Sequence, residues 1–145
     1  MQLFPAPIAG KTSDEYYTPR WVFDALNITF DLDVAAPPGG SDTVTALAHY
    51  DITDDGLKQP WHGNVWMNPP YSHVTPWWQR FKDHGNGIAL LPCAKSKWYW
   101  DAWEHADGIA TKHVSFIGGE VRFPIIFAAF GDHNVHALRA ISRTR

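Results

Sequence analysis

Three short apolar stretches that each run into proline constrain this chain more than any other feature. The first, 30–36 (Phe30-Asp31-Leu32-Asp33-Val34-Ala35-Ala36), meets Pro37-Pro38-Gly39-Gly40. The second, 64–67 (Asn64-Val65-Trp66-Met67), meets Asn68-Pro69-Pro70-Tyr71, and the third, 87–91, meets Pro92. Proline lacks an N–H and fixes φ, so it closes a strand. Between these strands the spacing predicts helices. One covers 19–26 with Thr18 as cap, Pro19 in its first turn, and Trp21, Val22, Ala25 and Leu26 on one side. Others cover 75–82 and, capped by Ser96, the stretch to Trp103. Strands alternating with helices predict an α/β sheet with parallel pairs. Two later stretches, 114–117 and 125–130, have only Gly118-Gly119 and Pro124 between them, which predicts a late antiparallel edge. The segment 43–50 reads equally as helix or strand, and 51–60 as an Asp- and Gly-rich loop.

The length of 145 residues fits one domain, read as 15–145, behind an irregular proline-rich arm over 1–14. Hydrophobic residues make up 45% and charged residues 19%, which is globular rather than disordered composition. The formal charge of −3 excludes a uniformly basic nucleic-acid coat but allows a local basic patch. Cys93 is the only cysteine, so a disulfide framework and a multi-cysteine zinc site are both excluded. The eight histidines form no ligand-like cluster, and no metal is expected. No apolar run reaches membrane-spanning length, and the start lacks a basic leader.

Asn68-Pro69-Pro70-Tyr71 carries the chemistry. Two successive prolines stiffen the turn at a strand end, and in α/β sheets ligands bind beyond the carboxyl ends of strands. The Asn68 side-chain oxygen and the Pro69 carbonyl are two acceptors placed together. They suit an exocyclic NH₂, which offers two donors, while Tyr71 can stack on the ring that bears it.

The tetrapeptide resembles the catalytic motif of amino-group methyltransferases that use S-adenosylmethionine. The wider pattern is similar to that of the small phage-type DNA N6-adenine methyltransferases. Tyr17-Thr18-Pro19, Leu32-Asp33-Val34-Ala35-Ala36, and Asp55-Gly56-Leu57 with Trp61 precede the motif; Ala89-Leu90-Leu91-Pro92 and Gly119-Glu120-Val121-Arg122-Phe123 follow it. The resemblance implies a minimal Rossmann-like S-adenosylmethionine-dependent methyltransferase fold, mostly parallel. It implies catalytic residues Asn68, Pro69, Pro70 and Tyr71, and a cofactor site made of Tyr17, Thr18, Pro19, Asp33, Ala35, Asp55 and Asn68. Thr18-Pro19 would lie against the methionine part, Asp33 would meet the ammonium group, and Asp55 the adenine amine. Spacing alone equally allows Thr18-Pro19 as an ordinary helix start and Asp33 as a surface acid. Asp51 and Asp54 compete with Asp55. The Gly-x-Gly turn of the commoner pattern is replaced by Ala35-Ala36-Pro37-Pro38-Gly39-Gly40, whose prolines remove amide donors.

A base inside a duplex cannot reach such a pocket, so the expected partner is duplex DNA with a flipped adenine. Tyr71, Lys95, Lys97 and Arg122 are the expected DNA contacts, with Arg139, Arg143 and Arg145 making the tail basic. The length leaves no recognition domain, which predicts relaxed or partner-dependent specificity. Among eight tryptophans, Trp21 and Trp66 are expected in the core, and Trp77, Trp78 and Trp98 near the site. Trp98, Trp100 and Trp103 share a helix but cannot all face one side. The same chemistry on cytosine N4, RNA or a protein glutamine remains open, as do a catalytically weak DNA-binding module and a non-catalytic interaction domain. The family resemblance points to a phage or prophage protein in a bacterial cytoplasm.

Overall fold

The computed structural model describes residues 17–115 and 122–143, with side chains over 17–112 and 124–142. The arm at 1–14 and the Gly119-Glu120-Val121 piece lie outside the described residues.

Five strands form one sheet in the order β1-β2-β3-β5-β4, where β1 is Leu32–Asp33, β2 Val65–Met67, β3 Gly87–Pro92, β4 Gly108–Ser115 and β5 Arg122–Phe130. The β1–β2 and β2–β3 pairs are parallel, and β5 is antiparallel to both β3 and β4. The two late strands thus form the expected antiparallel pair at one edge of the sheet, with β5 beside β3 and β4 outermost. Consecutive β4 and β5 pair with each other, and β5's other side pairs with β3. The carboxyl ends of β1, β2 and β3 share one rim. The start of β5 lies on that rim too, since Ile125 pairs with Pro92.

The strand expected over 30–36 shortens to two residues because the chain on its far side is irregular. That neighbour is 43–50, which settles as extended chain and bridges Phe30 to Ala46 and Asp33 to His49 in parallel. The Phe30 N–H donates to the Thr45 carbonyl at 2.8 Å, and the Tyr50 N–H to the Asp33 carbonyl at 2.9 Å. Pro92 is the last paired residue of β3 rather than its stop. A proline is tolerated there because only one ladder donor is lost. β4 begins at Gly108, six residues before the expected 114.

Among the described residues, four helices cover the two faces: α1 Arg20–Leu26, α2 Val74–His84, α3 Lys97–His105 and α4 Asp132–Arg143. The α1 N-cap is Pro19 rather than Thr18, with no side-chain cap bond. Helix α4 carries Arg139 and Arg143 of the expected basic tail, and Arg145 lies outside the described residues. Period-two alternation divides the core. Trp66, Ile88, Leu90 and Phe127 face α1 and α4, packing with Phe23, Leu138 and Ile141. Val65, Met67, Leu91 and Ile126 face α2 and α3, packing with Trp78, Phe81 and Ala102. A sheet buried on both faces explains the unbroken apolar reading of β3, whose six residues are all buried. Asp101 fastens α2 to α3: its Oδ2 accepts from Trp78 Nε1 at 2.7 Å and from Lys82 Nζ at 2.8 Å. Trp21, expected in the core, is only half-buried, while Trp100 and Trp103 are exposed.

Candidate active site

A cavity of about 620 Å³ opens at the shared rim, bounded by the ends of β1 and β2 and by the turn around Gly56. Of the seven residues expected at a cofactor, Tyr17, Thr18, Asp33, Ala35, Asp55 and Asn68 line it. Pro19 does not; it starts α1. The volume suits an enclosed small molecule.

Asp33 closes β1 and is 3% exposed. Its Oδ1 accepts the Ala35 N–H at 3.3 Å. None of the ion pairs among the described residues involves it. Burial pushes its carboxyl up to about 7, with the Ala35 N–H pulling the other way. Such a group favours an incoming cation, because pairing restores what desolvation removes.

The turn after β1 is built from Pro37-Pro38-Gly39-Gly40. Gly39 and Gly40 take positive φ of 77° and 97°, which suits glycine. The Gly40 N–H returns to the Pro37 carbonyl at 2.9 Å, and the Gly39 N–H reaches Asp51 Oδ2 at 3.0 Å. Asp51 also accepts from the Thr53 hydroxyl and N–H, at 2.6 and 2.9 Å. These bonds, led by the Thr53 hydroxyl, hold its carboxyl down at about 2. Asp54 accepts the Asp51 N–H at 2.9 Å and is absent from the cavity wall. The three competing acids thus separate. Asp51 lines the cavity with its carboxylate committed to the loop, Asp54 braces that loop, and Asp55 lines the cavity at a left-handed φ of 56°.

Gly56 explains why Asp55 is held there. A Cβ on Gly56 would lie 2.2 Å from the Val34 carbonyl and 3.1 Å from the Trp77 ring. The Gly56 carbonyl accepts from Trp61 Nε1 at 2.8 Å, and Trp61 stacks on Trp77 at 6.4 Å. Arg80 lies 4.9 Å over Trp61 and donates to the Leu57 and Gln59 carbonyls, each at 2.7 Å. Trp77 is therefore both a clamp and a cavity wall, whereas Trp78 and Trp98 are core. Ile52 also lines the cavity and is 85% exposed. In the sequence Ile52 is marked only as a lone large apolar residue in an acidic loop.

Asn68 follows β2 directly. Its Nδ2 donates to Thr18 Oγ1 at 3.3 Å, and its Oδ1 is buried. Pro69 is buried, and Pro70 lines the cavity at φ −60° and ψ 126°. Tyr71 starts a single 3-10 turn, Tyr71–His73, and is 9% exposed. Its ring packs with the core on the α1 side and does not line the cavity. Burial pushes its hydroxyl far above the usual phenol range, so it stays protonated. Lys95 and Lys97 are exposed just past the end of β3, on the same rim. Arg122 pairs with Ser115 beyond Ile125, which sets its backbone on that rim; its side chain lies outside the described residues.

Among the described residues, no group of three or more His, Cys, Asp or Glu could hold a metal ion. No helix there is long and apolar enough to cross a membrane. No curated protein and no solved structure matches the chain. Residues 7–136 match the family model described as DNA N-6-adenine-methyltransferase (Dam). With most of its length matched, the chain belongs to the DNA N-6-adenine-methyltransferase (Dam) family, whose activity is methylation of adenine in DNA.

Proposed function

We propose that the protein transfers a methyl group from S-adenosylmethionine to the N6 amine of a flipped adenine in DNA, on a minimal Rossmann-like methyltransferase fold. One observation carries this reading. A buried carboxylate, Asp33, that no cation among the described residues pairs with, and a carboxamide, Asn68, line the same cavity.

The residues present fit the cofactor. Asp33 would hold its ammonium group. Asp55, Trp77 and Ile52 offer one acceptor and two apolar surfaces for an adenine ring. S-adenosylmethionine, when bound, supplies an electrophilic methyl on a sulfonium whose departure leaves a neutral thioether. The chain's own residues act on the amine. Adenine N6 is a poor nucleophile because its lone pair is delocalised into the ring. Acceptors at Asn68 Oδ1, which must be uncovered from the buried position described above, and at the Pro69 carbonyl would hold its two hydrogens and localise that pair. Rigid placement then does more than a strong base would, and the N6 proton released when the C–N bond forms and the C–S bond breaks passes to solvent.

Base flipping is required because the amine is otherwise stacked in the duplex. Lys95, Lys97 and Arg122 are assigned to phosphates along the rim. Tyr71 is assigned to the flipped ring, which requires the tyrosine to move out of the packing described above. The likeness to phage-type members supports a phage or prophage protein working in a bacterial cytoplasm.

The test is transfer of labelled methyl from S-adenosylmethionine to duplex DNA, followed by nucleoside analysis. N6-methyladenine is the expected product. Label in cytosine N4, or only in RNA or protein glutamine, would overturn the assignment.

A further inference from the structure

Helix α3 buries Trp98, Tyr99 and Ala102 in the core and turns two other tryptophans outward. Trp100 is 59% and Trp103 46% exposed. Both rings are braced. They meet the ring of buried Tyr99 edge-on, with centroids 5.1 and 6.4 Å away. The Tyr99 hydroxyl is also hydrogen-bonded to the side chains of Trp103 and Cys93. An indole braced on one side offers water a flat apolar surface on the other, with little rotamer freedom left to lose.

Their place in the fold narrows what could cover them. Helix α3 starts at Lys97, just past the rim end of β3, and leads to Gly108, which is level with the start of β3 because both Gly108 and Ile88 pair with Ala129. It therefore runs away from the rim that carries Asn68. Lys97 and Trp100 are neighbours on its surface, and long side chains on a helix lean towards its N-terminus, here the rim. Exposed Lys95 and Lys97 thus stand on the rim side of Trp100. The acids of the helix lie elsewhere. Glu104 is one turn beyond Trp100, with His105 Nε2 at 3.9 Å, and Asp101 is bound to Trp78 and Lys82.

Two cations followed by a braced flat ring match a nucleic-acid strand, with phosphates on the lysines and a base face on the indole. In a duplex the base faces are covered by their neighbours, and a helix face reaches only phosphates and groove edges. A bare base face exists only where the strand is unpaired or unstacked. We infer that Lys95, Lys97 and Trp100, with Trp103 beside it, bind an unpaired stretch of DNA next to the target adenine, so that locally single-stranded DNA is the preferred substrate. This rests on the activity proposed above and narrows its substrate. An adenine in such a stretch is already out of the duplex, which lowers the cost of reaching the pocket.

The test measures binding of the full chain to a labelled single strand of about 16 nucleotides, and to the duplex of the same sequence, by fluorescence anisotropy. Wild type should bind the single strand more tightly. Trp100→Leu keeps apolar bulk and loses the flat face. It should weaken single-strand binding about fivefold to a hundredfold, the worth of one stacked base, and duplex binding by less than about twofold. Trp100→Phe should recover part of that loss. The salt slope should stay as in wild type in both, whereas Lys97→Gln should lower it by about 0.7 on the single strand. Wild-type single-strand affinity in Trp100→Leu would overturn the inference. So would equal losses on single strand and duplex, or tighter wild-type binding to the duplex. A change confined to self-association in ultracentrifugation would also overturn it and assign the face to a second copy of the chain. Trp103→Leu, expected to act in the same direction by less, gives a readout if Trp100→Leu fails to fold. Methyl transfer separates the two layers. Wild type that binds single strands through Trp100 but forms no N6-methyladenine on either DNA sinks the proposed activity and leaves this surface standing. Wild type that methylates DNA while Trp100→Leu binds and methylates single strands equally well sinks only this inference.

Discussion

At the scale of single residues, Asp33 gives the clearest physical consequence. Its folded carboxyl titrates near 7, above the roughly 3.9 of an unfolded aspartate. Between those values the folded chain holds a proton the unfolded chain has lost. The contribution of Asp33 to stability is therefore complete below about pH 4 and is lost as pH rises through about 7. Asp33→Asn is expected to raise Tm at about pH 8, with a gain that shrinks towards about pH 4, as thermal melts across pH would show. The same substitution should weaken S-adenosylmethionine binding at about pH 8 by at least about tenfold, the worth of a charge-assisted bond. Unchanged affinity by calorimetry would remove Asp33 from the ammonium site. Much at this scale was legible in order and motif alone: Asp33, Asp55 and Asn68 meet at one cavity. The different placements of Asp51, Asp54 and Asp55 were not, because loop hydrogen bonds set them and neighbouring acids look alike in sequence. The bond between Thr18 and Asn68 was equally hidden, since no local pattern joins residues fifty positions apart.

At the scale of elements, the Asp55-Gly56-Leu57 turn is fixed by contact rather than by propensity. Gly56→Ala must displace the Val34 carbonyl, the end of β1 or the turn itself. A loss of about 1–3 kcal/mol in denaturant unfolding is expected, the usual range for overpacking, together with weaker cofactor binding. Asp101→Ala is a different case. It leaves the fully buried Trp78 without its Nε1 acceptor and should cost about 1–3 kcal/mol while sparing cofactor affinity. Elements with strong local patterns, β2, β3, α2 and α3, were readable. β4 was not, because Gly108, Thr111 and Lys112 dilute its alternation and β5 supplies its order. α4 was missed because its arginines drew more weight than Val135, Leu138 and Ile141. Those three recur every third residue and pack on the core.

At the scale of the whole molecule, the sheet order decides what the net charge of −3 allows. Parallel β1, β2 and β3 place Asn68 on the same rim as the exposed Lys95 and Lys97, and the reversed β5 brings the backbone of Arg122 there. A chain acidic on balance can thus still present cations beside the proposed reacting atoms. Replacing Lys95 and Lys97 together with Glu should raise KM for DNA and lower the salt slope of binding by about 2, with cofactor Kd unchanged. An unchanged salt slope would move the DNA path elsewhere. The central claim is that one rim cavity binds the cofactor and that Asn68 at its wall acts on the amine. Its most direct test is single-turnover methyl transfer to DNA by wild type and Asn68→Ala, read as N6-methyladenine, with cofactor Kd measured on the same samples. The account predicts at least about a hundredfold slower transfer in Asn68→Ala, with Kd within about threefold. Transfer at the wild-type rate in that variant would contradict it.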